Sequence, residues 1–341
     1  MDTNLELNEF LSQKKIAGKK ELIQTMRFLS QEHLTEFSEE KIASWPDEIF
    51  LEPRLFSLLM QENNHHSPTQ LLLDRFPELR SNNQQIVLSS RTEIDIVKFP
   101  DQIVSDFLKE QIGNSGIITY PKSQPYLNNL STALKIIHDC NIKFYTQLID
   151  CVKSVVLFEH PHANSLAALG LHGMIFLNVR WPTSILFFID AFAHQGGHVI
   201  LNEATLNRED FFIIDPDTLL GTVVNQQNDR RSVYEALHGL YTEYQVIENL
   251  LLAEEKSLLP ENERAELIGR LAYINKRFQK DILKIDSEKN NIFSEEGLTL
   301  FNIFKKLCDQ LINQKPELAK VDLSGQLNEF DVTEFMKKNT F

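Results

Sequence analysis

Residues 181–206 read WPTSILFFIDAFAHQGGHVILNEATL, and they narrow the fold more than any other stretch. The flanks LFFIDAFA and VIL are apolar enough that a helix here belongs inside a core. The densest apolar run, Ile185 to Ile189, is far too short to span a bilayer. Pro182 and Thr183 suit the first turn, where a missing N–H costs nothing. His194 and His198 lie inside this segment, four residues apart. On a helix that spacing puts both imidazoles on one face, about 5–6 Å apart at Cβ. From there both can reach one metal ion through bonds of about 2.0–2.1 Å. Two imidazoles in an apolar helix are costly unless something satisfies them.

The remaining composition bounds the partners. With 42% hydrophobic and 24% charged residues, the chain has the makeup of an ordinary globular protein. A net charge of −14 argues against nucleic acid and against an anionic membrane surface. Cys140, Cys151 and Cys308 form no CxxC pair and no disulfide framework. The first residues, MDTNLELNEFLSQKK, lack the basic start and apolar core of a signal peptide, so the cytoplasm is the expected location.

Periodicity predicts a mainly α chain with a small β element, an α+β class with a buried motif helix. Short amphipathic helices fill the first 80 or so residues. TEIDIVKFP (92–100) and SGIITYP (115–121) read as extended pieces. A long helix is predicted from Asn128 to Leu157, a glycine-bounded strand at 169–178, and strand and turn at 211–224. Ser232 with Glu235 three residues on has capping-box spacing and starts another long helix. Two regions are expected: an N-terminal helical region, 1–85, and a metal-binding catalytic domain, 86–341.

A third ligand is needed if the histidine pair holds a metal. Asp190 lies one turn before His194 and can steady it or join the metal. Glu203 turns to another face, Asp215 and Asp217 flank a proline turn, and Glu235 belongs to the cap. His238, inside the apolar helix VYEALHGLYTEY and followed by Gly239, is the strongest candidate. Gly196 and Gly197 cost a regular helix about 0.8–1 kcal/mol each relative to alanine. Such a pair implies a close approach to the backbone, by a helix or a ligand, or a kink.

HQGGHVILN followed by DRRSVYEALHGLY resembles the HExxH-motif domain family of peptide-modifying proteins. Asp229, Arg231, Leu237, His238, Gly239 and Tyr241 fall on the family's second segment, and GLHGMIFLN on the strand preceding its motif helix. The likeness covers about residues 90–260. It implies an iron(II), 2-oxoglutarate-dependent oxygenase that hydroxylates a peptide or a small amino-acid-like substrate. On that likeness His194, His198 and His238 bind iron. Arg231, or its neighbour Arg230, holds a carboxylate of 2-oxoglutarate through a planar fork. Tyr241 and Gln195 are the candidate catalytic side chains.

Gln195 departs from the motif, standing where a zinc protease needs glutamate as its base. Loss of a general base typically removes about 10²–10⁴ in rate. Oxygenases do their work with the metal and cosubstrate, so the substitution suits them better. The alternatives are a zinc-binding hydrolase relative and a catalytically silent partner protein that keeps the fold. A homodimer is allowed. His65 and His66, His160 and His162, and Tyr244 read as loop or core residues. His172 is either a core histidine or one lining a pocket.

Overall fold

The computed structural model describes residues 3–60, 67–76, 94–97, 100–113, 118–121, 124–180, 183–226, 228–326 and 330–339. His65 and His66, Pro182 and part of the 115–121 stretch lie outside these residues. The chain is mainly helical with a small mixed sheet. It opens with α1 (Thr3–His33), α2 (Glu39–Ala43), α3 (Asp47–Phe50), α4 (Pro53–Met60) and α5 (Pro68–Arg75). Strand β1 (Asp95–Val97) leads to α6 (Gln102–Ile112), α7 (Gln124–Cys140) and α8 (Ile142–Cys151). Strands β2 (Ser154–Phe158), β3 (Leu166–Ala167) and β4 (Met174–Asn178) precede α9 (Ile185–Ala204). The rest is α10 (Leu220–Val223), α11 (Val233–Glu255), α12 (Arg264–Asp286), α13 (Lys289–Ile292), α14 (Glu295–Gln314) and α15 (Val332–Lys338).

The sheet order is β1-β2-β4-β3, with β3 alone antiparallel to its neighbour. Every residue of β2 and β4 is buried. Their alternate side chains serve two cores, as the period of a strand demands. Val155, Leu157, Ile175 and Leu177 join the main helical core, while Val156, Phe158, Met174 and Phe176 meet α6 through Val104, Phe107 and Leu108. This covering of both faces explains a misreading. SVVLF was expected to continue the helix from Asn128, but a strand buried on both sides is apolar throughout and shows no alternation. The long helix in fact breaks at Asn141, whose side chain caps α8 by accepting from the Phe144 amide. The 169–178 strand starts only at Met174, after a 3₁₀ turn. The 211–224 segment is turn and short helix, with isolated bridges from Phe212 to Phe293 and from Leu219 to Ser232.

Helix α9 lies at the centre, packed by α11, α1, α7 and α8. Its glycines mark where neighbours come close. A Cβ on Gly196 would sit 2.2 Å from Leu148 Cδ1 on α8, and one on Gly197 would sit 3.2 Å from Thr242 Cγ2 on α11. The glycine pair therefore serves helix packing on two sides. Past Phe187 every residue of α9 is buried except Asp190, His194, His198 and Asn202. These four follow one another at intervals of four, so one narrow stripe of the helix meets solvent.

The boundary expected near residue 85 lies outside the described residues, and helix α1 spans two apolar cores. Leu7 and Leu11 of α1 lie in the main core, whereas Leu22, Ile23 and Met26 of the same helix join a second core with Ile42, Trp45, Phe50 and Phe56.

Candidate functional site

The three predicted histidines stand in a row. His194 and His198 rings are 5.0 Å apart and nearly perpendicular. His198 Nδ1 and His238 Nδ1 are 3.2 Å apart. The centres of those two rings are 5.5 Å apart and their planes differ by 13°. That separation is about as large as the Nδ1 contact permits, so the rings meet edge to edge, nitrogen to nitrogen. Behind His238, Thr205 Oγ1 lies 3.5 Å from Nε2 and 3.1 Å from the Tyr234 hydroxyl. Tyr234 packs its ring 4.3 Å from that of His238 and donates to Asn202 Oδ1 at 3.2 Å. The capping box at Ser232 and Glu235 starts α11 in the register that delivers Tyr234 and His238 to α9.

All three imidazoles are held neutral at pH 7. Burial pulls His194 down to about 4, assisted by the charge of Arg277, and pulls His198 down to about 3, assisted by His194. His238 lies well below the ordinary histidine value, from burial and then His198 and Arg208. The unfolded chain therefore binds protons that the folded chain refuses once pH drops below 6.5. Stability is full above that value and is lost as pH falls toward 4, by up to about 1.4 kcal/mol per pH unit for each histidine. Urea midpoints of His194→Gln at pH 7 and pH 5 are expected to differ less than those of the parent chain.

The other candidates are placed as follows. Arg231 is engaged on both sides. It donates to Asp229 through Nε at 2.9 Å and Nη2 at 2.7 Å, and to Asp281 through Nη1 at 2.5 Å and Nη2 at 3.0 Å. Lys284 adds a further contact to Asp229 at 2.8 Å. A cosubstrate carboxylate would have to displace an aspartate already in place. Because Arg231 is 32% exposed and Lys284 stays behind, Arg231→Ala is expected to cost about 1–2 kcal/mol, below the range for a fully buried pair. A lowered melting temperature checks this. Arg230 is exposed. Gln195 is buried, and its Nε2 donates to the Ser165 carbonyl at 3.2 Å. Tyr241 is fully buried against the Gly197 side of α9, its ring 6.4 Å from that of Phe304. Burial raises the Tyr241 phenol, and its hydroxyl has no hydrogen-bond partner among the described residues.

The carboxylates considered as third ligands are committed elsewhere. Asp190 pairs with Arg270 at 2.7 Å. Asp215 accepts from the Asp217 amide in the exposed turn, and Glu235 caps α11. Glu203 accepts from His172 and from the Cys151 thiol, each at 3.2 Å. Among the described residues, Asp150, Cys151 and Glu203 are the one trio whose ligand atoms all lie within 4.8 Å of one another; the three histidines are not so gathered. This trio already has its cations. Lys15 and Lys19 reach Asp150 at 2.7 and 2.6 Å, and burial keeps Cys151 protonated by pushing its thiol well up. It is therefore an internal ion-pair cluster tying α1 and α8 to α9. His160 Nδ1 accepts from the His162 amide within its loop.

Sequence reasoning did not find Thr205, Tyr234 and Asn202. The signal was present: Tyr234 precedes His238 by four and Asn202 follows His198 by four, so each histidine face continues into a polar residue. Nor did it find Glu243, 1% exposed, which accepts from Arg277 Nε at 3.0 Å and is raised by burial. No helix among the described residues is long and apolar enough to cross a membrane. No family model matches the chain, and no curated protein matches it.

Proposed function

We propose that this chain is an iron(II), 2-oxoglutarate-dependent oxygenase that hydroxylates a peptide or a small amino-acid-like substrate along the open stripe of α9. The observation that carries the reading is the placement of two neutral imidazoles, one turn apart, on the solvent-facing stripe of an otherwise buried helix. Bound iron and cosubstrate supply the oxidising power in this class. His194 and His198 would hold the metal through uncharged nitrogens as its two protein ligands, one fewer than the two-histidine, one-carboxylate set, and its other positions would fall to the anionic cosubstrate and water. The apolar wall of α9 and α11 keeps water from all but one side of the row.

A hydrolytic reading lacks its base. Gln195 is tied to a backbone carbonyl, and Asp190 and Glu243 each accept from an arginine. A catalytically silent partner protein draws on one observation, that His198 and His238 already satisfy one nitrogen each. The cytoplasm fits either, since all three cysteines are free and buried. The test is anaerobic. Purified protein loaded with iron(II) is expected to develop a visible charge-transfer band on adding 2-oxoglutarate. Zinc instead of iron, with peptidase activity, favours the hydrolase, and absence of any bound metal favours the silent partner.

A further inference from the structure

We infer that His238 is a positioning residue rather than a metal ligand: it accepts the Nδ1 proton of His198 and so leaves His198 Nε2 as the bare nitrogen beside His194. The ligand half of this rests on the metal-centre reading above; the wiring does not. A backbone carbonyl can only accept. Thr205 donates its hydroxyl proton to the Leu201 carbonyl at 2.8 Å. Were that proton turned instead to the Tyr234 oxygen at 3.1 Å, whose own proton goes to Asn202, Thr205 would still have only a lone pair to offer His238 Nε2 at 3.5 Å. His238 must carry its proton on Nε2, because a bare nitrogen there would face a bare oxygen. A neutral imidazole has one proton, so His238 Nδ1 is an acceptor. The proton in the 3.2 Å contact between the two Nδ1 atoms therefore belongs to His198. His198 Nε2 is left without a proton.

The edge-to-edge meeting of the two rings bears on the same point. Two nitrogens that share an ion aim their lone pairs at a common third point, whereas His198 and His238 aim theirs at each other. The arrangement is that of a metal-binding histidine steadied through its other ring nitrogen, a role more often filled by a carboxylate or carbonyl. His194, with no hydrogen-bond partner among the described residues, and His198 Nε2 are then the paired donors on the open stripe.

Nitrogen-15 spectra of the full-length, metal-free chain labelled at histidine test the wiring directly. The expected result is a proton on Nδ1 of His198 and on Nε2 of His238. A proton on Nε2 of His198 overturns it. Cobalt(II) titration tests the ligand half. His238→Asn retains an oxygen close to the Nδ1 position and is expected to bind cobalt within about threefold of the parent. His238→Leu is expected to bind about 10–100-fold more weakly, as loss of an outer partner does. Losses beyond about 100-fold, equal in the Asn and Leu variants, would make His238 a direct ligand and overturn the inference. A parent chain that binds no cobalt refutes the metal-centre reading and the ligand half together, while the spectra still decide the wiring.

Discussion

His198→Ala is expected to abolish stoichiometric iron binding and the 2-oxoglutarate band with it, and His194→Ala to do the same. The effect should exceed the 10–100-fold that outer partners cost, because each substitution removes one of the two donors on the open stripe. Both side chains are part-exposed, so neither replacement opens a large void. Far-ultraviolet circular dichroism should therefore stay unchanged while metal content falls. The control is Asp190→Asn, which weakens the pairing with Arg270 and should lower the melting temperature without emptying the metal site. Metal content is read by elemental analysis after anaerobic loading. Full iron occupancy in His198→Ala would place any metal centre away from α9.

The second large effect concerns stability. Gly18→Ala puts a Cβ 1.7 Å from the Glu203 carbonyl oxygen and 2.9 Å from its carbon. Both atoms are backbone of α9, so no rotamer change relieves the clash. Either α1 lifts from α9 or α9 moves against its other neighbours. Overpacking usually costs about 1–3 kcal/mol, and a clash between backbones belongs at or above the top of that range. The better helix propensity of alanine returns up to about 1 kcal/mol. A net loss of about 2–3 kcal/mol should appear as a lower urea midpoint. An unchanged midpoint would mean that α1 is not docked on α9 at Gly18.

The elements readable from the sequence were those with one dominant signal. α9 was legible because its apolar flanks leave few choices, though it is capped by Ser184 and starts past the Thr183 expected in its first turn, and α11 because Ser232 and Glu235 specify its cap. The strands were harder. β2 hides because both its faces are covered, and β3 has two residues, too few for any period. In the site, the i, i+4 pair announced itself and His238 followed from its apolar helix. What each ring nitrogen does was not legible. That depends on Thr205, which enters through a tertiary contact and not through spacing along its own helix. Arg231 shows the same limit. Its guanidinium fork suits a carboxylate, and it does hold carboxylates, but they are Asp229 and Asp281. The second of these lies on α12, fifty residues away.

The first helix has a consequence for how the molecule comes apart. At 31 residues α1 is about 46 Å long. It contributes Leu7 and Leu11 to one apolar cluster and Leu22, Ile23 and Met26 to another. A helix propagates far more readily than it nucleates, so its two halves resist separation. Heat that loosens either cluster pulls on the same rod, and calorimetry should record a single endotherm, not one for each.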